Sequence, residues 1–364
     1  MKSFIKFLFF LGIGVGILYF VYQNQEAAYQ LGKECDPNKY PSDNLWDYVV
    51  NAFSETNLFW LMIVCAAFMV SNISRALRWN LLIEPLGYKP RAANSFFATM
   101  VGYFINLALP RAGEIAKPAT LAKYEKIPVD KLIGTIVADR VFDVIMLLLM
   151  IGLTFLLQFQ HLYNFLFGEK EPETCVTGVV QDVGEPFPWL TIFLVLVAIG
   201  ITTLIIIFIK WKAIKETAFF HKVKALALNF YAGMKTVFEL RKGKLVQFLI
   251  HTIVIWLMYY LMMYICFWAY EPTSQLSALT ALLVFVFGAF GIVIPSPGGI
   301  GTYQLAVTAG LIIYAVPGPQ AFAFSNIIFF TINIFCNVLF GFIAYILLPI
   351  YNKGYEPELP TGQG

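Results

Sequence analysis

The chain has 364 residues, of which 59% are hydrophobic, 17% aromatic and only 13% charged, with a formal net charge of +3. That balance excludes a soluble globular protein and fits a chain solvated by lipid. The five cysteines are scattered, the three histidines (His161, His221, His251) lack neighbouring ligands, and no phosphate-binding or dinucleotide loop occurs, so no metal, cofactor or nucleic-acid partner is expected.

Residues 5–22 are the first apolar stretch of membrane length. Lys2 and Lys6 precede it, but bulky Tyr19-Phe-Val-Tyr22 offers no small-residue cleavage site, so the stretch reads as a retained helix. Residues 23–57 hold two lysines and six acids. The second span, 58–83, carries Arg75 and Arg78. Segment 84–131 holds seven Lys/Arg and encloses an apolar run, 94–109, that ends on the break Asn106-Leu-Ala-Leu-Pro110-Arg111-Ala-Gly113-Glu114. The third span, 132–157, carries Asp139, Arg140 and Asp143. Loop 158–188 holds Lys170 and five acids, and 189–209 is the fourth span. Segment 210–244 holds nine Lys/Arg, while Trp211, Ile214, Ala218, Val223, Leu226, Phe230, Met234 and Val237 recur every three to five residues. It reads as amphipathic helix on the cytoplasmic surface, either binding anionic headgroups or serving as a solvated linker. The fifth span is 245–268, the last is 321–349, and 351–364 is a tail. Between the last two spans lies a second break, with Pro295, Pro297, Gly298, Gly299 and Gly301.

Lysine and arginine hold loops on the cytoplasmic side. This orients 23–57 and 158–188 outward, 84–131 and 210–244 inward, and puts both termini inside; 22 of the 25 basic residues then lie inside. A simple crossing at 94–109 would carry Arg111, Lys117, Lys123, Lys126 and Lys131 outside. A re-entrant hairpin over 94–122, opening to the cytoplasm, avoids that. A second over 278–316 must open outward, because the next span ends inside near Lys353. Halves 58–157 and 245–350 then form an inverted repeat. The expected fold is an all-α polytopic membrane protein of about six full spans plus two opposed hairpins, the competing fold being eight simple spans with proline kinks.

Ionisable groups inside a span face protein or a cavity. Arg75 and Arg78 share a helical face, as do Asp139 and Asp143. Two roles fit. Arg78, beside Trp79, anchors the helix to headgroups and the aspartates pair with the arginines; or these groups, with Arg111, Glu114, Lys117 and Arg140, line a pocket whose guanidinium forks grip a phosphate. Asn326, Asn333 and Asn337 form one stripe at steps of seven and four, which glues helices or, with Asn106 and Gln304, lines a pathway. Cys35 and Cys175 fall in the two exterior loops, where a disulfide between them is expected.

Arg75-x-x-Arg78, Pro110-Arg111-Ala-Gly113-Glu114, Asp139-Arg140-x-x-Asp143 and Pro297-Gly-Gly-Ile-Gly301 occur in this order with these spans. The pattern resembles the lysylphosphatidylglycerol synthase transmembrane-region family, or flippase-like domain proteins, over roughly 58–350. It is similar to the flippase half of multiple peptide resistance factor. The family often places a glutamate after the second break where this chain has Gln304, which takes an ion-coupling role away from that position. The tail is too short to hold the aminoacyltransferase domain of the related fusion proteins. The resemblance implies a flippase or scramblase, not an enzyme, in the bacterial cytoplasmic membrane. Its substrate would be an aminoacyl-phosphatidylglycerol-like phospholipid or a polyprenyl-phosphate-linked lipid, with a separate lipid-modifying synthase as partner. The alternatives are a membrane enzyme acting on a lipid phosphate through Asp139, Asp143 or Glu114, and a small-solute or ion transporter.

Overall fold

The computed structural model describes residues 2–108, 112–167, 237–293 and 296–357. Every regular element among them is helical. A helix pairs its own N–H and C=O groups, which lipid cannot do for it. Five described stretches are long and apolar enough to cross a bilayer: Leu8–Cys35, Leu58–Leu86, Val129–Gln160, Lys242–Ala269 and Gly318–Tyr351. The expected span 189–209 lies outside the described residues, as do most of loop 158–188 and of segment 210–244.

The stretch 23–57 is not the open loop that its charge suggested. Helix α1 (Lys2–Cys35) continues through its first part, and α2 (Leu45–Glu55) follows. Leu45, Val49 and Ala52, spaced three to four apart, bury one face of α2. Asn44 caps it, its Oδ1 accepting the Asp47 amide at 2.9 Å. The Tyr29, Tyr40 and Tyr48 rings pack together with centroids 5.2–6.3 Å apart, and the Tyr48 hydroxyl meets that of Tyr270 at 3.1 Å. Burial pushes the Tyr40 hydroxyl up to about 12. An unfolded tyrosine ionises near about 10, so its share of stability holds below that pH and is lost as pH rises through 12. The late part of a phenolate absorbance titration is expected to shrink in Tyr40→Phe and, in the wild type, to coincide with loosening of this end.

Asn57 caps α3 (Leu58–Ile83) through the Phe59 amide at 3.0 Å. Next come α4 (Ala92–Ala108) and α5 (Gly113–Glu125), of 17 and 13 residues, each shorter than the roughly 20 that a crossing needs. They pack along each other, and Asn106 Oδ1 accepts the Gly113 amide at 2.8 Å across the break. A Cβ at Gly113 would collide with the Gly102 carbonyl, so this close approach requires glycine. Helix α6 (Val129–Phe167) packs on α3 and α5, and α7 (Lys242–Ala269) runs along α3. A second short pair follows, α8 (Ala278–Val293) and α9 (Thr302–Ile312). Finally α10 (Gly318–Phe329) passes through a π-helical turn, Phe330–Cys336, into α11 (Asn337–Tyr351). Helix α10 packs on α9, α1 and α2; α11 packs on α4, with Gly341 against Phe104.

The two short pairs begin at opposite ends of the bundle. At one end, Asn94 and Asn352 exchange hydrogen bonds at 2.7 and 2.9 Å, Tyr355 donates to Glu125 at 3.0 Å, and Lys244 pairs with Glu84 at 3.0 Å. The outer ends of α4 and α5 lie here, among basic residues. At the other end, Asn57 donates to the Ala269 carbonyl at 2.8 Å and Tyr260 to the Ala278 carbonyl at 3.0 Å, while Gly318 lies against Gln25. The outer ends of α8 and α9 lie here, beside the acidic stretch. The inner ends approach each other: Leu107 Cδ2 is 4.0 Å from the Cβ position of Gly298.

Candidate functional site

Arg75 and Arg78, one turn apart on α3, face Asp139 and Asp143, one turn apart on α6. Arg78 Nη2 sits 2.7 Å from Asp139 Oδ1 and 2.8 Å from Asp143 Oδ1. Arg75 Nη1 sits 2.9 Å from Asp143 Oδ2 and 3.6 Å from Asp139 Oδ2. The second Nη of each arginine reaches α7: Arg75 donates to the Tyr259 hydroxyl at 2.9 Å and Arg78 to Thr252 Oγ1 at 3.2 Å. Two positive and two negative charges thus balance in a low-dielectric seam and tie three long helices together. Arg78 is 0% exposed, so it is not the interfacial anchor its neighbour Trp79 suggested. Trp79 is itself buried and donates to Thr135 Oγ1 at 2.8 Å.

Arg140 lies one residue, about 100° of helix, from Asp139, and so leaves the seam. It pairs with Glu114 of α5 at 3.7 Å, both side chains half exposed. Lys117 Nζ lies 4.2 Å from the Trp79 ring centre. Because the Arg140–Glu114 pair is long and solvated, Arg140→Ala is expected to change stability by no more than about 1 kcal/mol, readable as an almost unmoved melting temperature.

A cavity of about 1030 Å³ lies at the centre of the bundle. Arg75, Glu114, Arg140 and Asp143 border it on one side. Phe68, Tyr103, Trp256, Met262, Met263 and Phe285 make much of the remaining wall. Both breaks reach it, the first through Asn106 and Leu107 and the second through Ser296, Gly298 and Gly299. The Ser296 and Thr302 hydroxyls meet at 2.8 Å, which closes the second break.

The expected residues divide. Arg78 is sealed behind the others, and Asp139 and Lys117 border only a small adjoining pocket of about 20 Å³. Asn333 and Asn337 line the main cavity, but Asn326 does not; it donates to the Phe322 carbonyl of its own helix at 2.9 Å. A π-turn winds less per residue than an α-turn, so the turn at 330–336 breaks the stripe that a constant period predicted. Gln304 is 1% exposed and acts as a cap, its Oε1 accepting the Gly301 amide at 2.9 Å. Pro297 opens a short 3-10 turn, and Gly301 (φ 80°) packs on Gly14 of α1. Pro110, Arg111 and Pro295 lie outside the described residues. Cys35 is disulfide-bonded, and its expected partner Cys175 also lies outside them. Among the described residues no group of three or more His, Cys, Asp or Glu side chains is placed to hold a metal. Sequence reasoning missed Asn72, although it precedes Arg75 by three residues on the same face. It also missed Trp256 and Tyr259, whose residue types read as ordinary membrane aromatics.

Residues 45–340 match the family described as the lysylphosphatidylglycerol synthase TM region. A UPF0104 membrane protein of Methanocaldococcus jannaschii is 28% identical over 100 residues, a stretch covering 27% of this chain and 30% of that protein. No solved structure matches the chain.

Proposed function

The chain belongs to the lysylphosphatidylglycerol synthase TM region family, and we propose that it moves a phosphate-containing lipid between membrane leaflets, as a flippase or scramblase. The carrying observation is the central cavity, bordered by charged residues on one side and by a largely aromatic and aliphatic wall, with both helix breaks reaching it. A phosphate cannot cross hydrocarbon unaided at useful rates, because burying an uncompensated charge is prohibitive. A polar route past Arg75, Arg140 and Glu114 would carry the headgroup while the tails stay apolar. Arg140 is the better phosphate ligand of the two arginines, since Arg75 is already held by Asp143 and Tyr259. The aspartates' engagement with arginine weighs against a membrane enzyme that would use them as acid, base or metal ligand.

In this reading α4–α5 and α8–α9 are re-entrant hairpins entering from opposite faces. The order long helix, short pair, long helix occurs twice, from α3 to α6 and from α7 to α11, which supports an inverted repeat. In the cytoplasmic membrane the acidic end would face outward and the basic end the cytoplasm, with both termini on the cytoplasmic side. A separate synthase would supply the lipid. The substrate would be an aminoacyl-phosphatidylglycerol-like or polyprenyl-phosphate-linked lipid.

The test is reconstitution in liposomes with a headgroup-labelled anionic phospholipid and a membrane-impermeant quencher. The protein is expected to expose inner-leaflet label faster than empty liposomes do. Arg140→Ala should slow this by about tenfold or more, the weight of a lost charge-assisted hydrogen bond, without loss of folded protein. A wild-type rate equal to that of empty liposomes would remove the proposal.

A further inference from the structure

The cavity wall carries a second polar feature that the charged side chains do not explain. Asn72 Oδ1, Asn337 Oδ1 and Trp256 Nε1 are buried, border the cavity and have no protein hydrogen-bond partner. Asn72 is only 1% exposed and Trp256 only 7%. Buried polar groups are ordinarily paired, so three around one cavity call for a reason.

The orientation of both carboxamides is fixed by their other ends. Asn72 Nδ2 donates to the Phe68 carbonyl at 2.9 Å. Asn337 Nδ2 donates to the Ile332 and Asn333 carbonyls at 3.2 and 3.1 Å. Carbonyls only accept, so a flipped amide would set oxygen against oxygen. The free atom is therefore the oxygen in each case. The π-turn places Asn337 here, since the carbonyls that hold its amide belong to that turn. Two neutral acceptors and one neutral donor remain for a ligand, beside the Arg75 Nε–H, which is also without a partner. The carboxamides are neutral and demand no positive charge, and both carboxylates on the cavity are engaged: Asp143 accepts from Arg75 and Arg78, and Glu114 pairs with Arg140.

We propose that Asn72, Asn337 and Trp256 form a second subsite of the cavity that takes the hydroxyl groups of a lipid headgroup, so that the protein selects hydroxyl-bearing lipids over others of equal charge. The inference rests on the lipid-transport reading. A hydroxyl both donates and accepts, which satisfies the asparagine oxygens and the indole N–H together; an ammonium group only donates and leaves Trp256 unmet. A headgroup without hydroxyls buries these atoms unpaired, and a site built to hydrogen-bond rejects such analogues strongly.

Full-length protein in liposomes separates the possibilities with two lipid pairs. Phosphatidylglycerol and phosphatidylmethanol carry the same charge and differ in hydroxyls. Phosphatidylethanolamine and phosphatidylcholine differ in ammonium N–H donors. The expected result is phosphatidylglycerol moving at least about tenfold faster than phosphatidylmethanol, with little difference within the second pair. Asn72→Leu and Asn337→Leu should each draw the first ratio toward one. Because each ratio is measured within one preparation, it does not depend on how much protein folds; if a leucine variant yields no protein, the wild-type ratio and that of Trp256→Phe still decide. Equal movement of phosphatidylglycerol and phosphatidylmethanol by the wild type overturns the subsite and leaves transport standing. Discrimination only within the second pair overturns the hydroxyl assignment in favour of an ammonium. Movement of no lipid overturns the transport reading and the subsite with it.

Discussion

Arg78→Ala is expected to cost about 3–5 kcal/mol of stability, the range for removing one partner of a buried ion cluster. Arg78 is fully buried and holds Asp139 at 2.7 Å and Asp143 at 2.8 Å. Without it, the buried Asp139 and the cavity-facing Asp143 share the single cation Arg75, whose contact with Asp139 is long at 3.6 Å. Thr252 would lose its donor, and three helices would lose a common fastening. Unfolding in detergent micelles should show a much lower melting temperature and little recoverable monodisperse protein. Pairing Arg78→Met with Asp139→Leu restores charge balance and should recover much of the loss, because a buried ion pair replaced by apolar groups is often neutral. A single variant within about 1 kcal/mol of wild type would mean that water reaches the seam.

The second large effect is expected at the second break. Gly301 has φ 80°, and a Cβ there would collide with the Gly14 carbonyl and stand 2.8 Å from the Leu18 amide of α1. Gly298 has a similar φ of 62°, but its Cβ position has nothing nearer than Leu107 Cδ2 at 4.0 Å. Alanine at either position meets left-handed strain of roughly 1–2 kcal/mol. Only Gly301→Ala must also displace backbone, adding about 1–3 kcal/mol. Gly301→Ala should therefore lower the melting temperature clearly more than Gly298→Ala. Equal losses would show that α1 does not hold the break.

The charged pairs were legible because helical spacing alone puts Arg75 with Arg78 and Asp139 with Asp143. Which pair buried which was not, because Trp79 beside Arg78 looks like an interfacial anchor until Thr135 is seen to accept its N–H. The stretch 23–57 misled because charge was counted and periodicity was not: the acids of α2 lie around an apolar face of Leu45, Val49 and Ala52. The asparagine stripe failed for another reason. Its spacing assumed one helical period across 326–337, and a π-turn carries no recognisable residue signature. The short helix pairs were legible from proline, glycine and the charge of their flanks. Their packing on α1 and α11 depends on backbone contact at Gly14 and Gly341, where there is no side chain to read.

The last long helix is a single rod bolted at its two ends to different neighbours. Its first half rides on α9, and its second half on α4. Sliding of one short pair against the other would load this rod in bending, and the load would fall on the π-turn at 330–336, where the regular helical period is interrupted. At the edge of that turn the Cys336 thiol stands 3.4 Å from the Cys65 thiol of α3. A disulfide formed there under a mild oxidant would weld the turn to α3, and a reductant would release it.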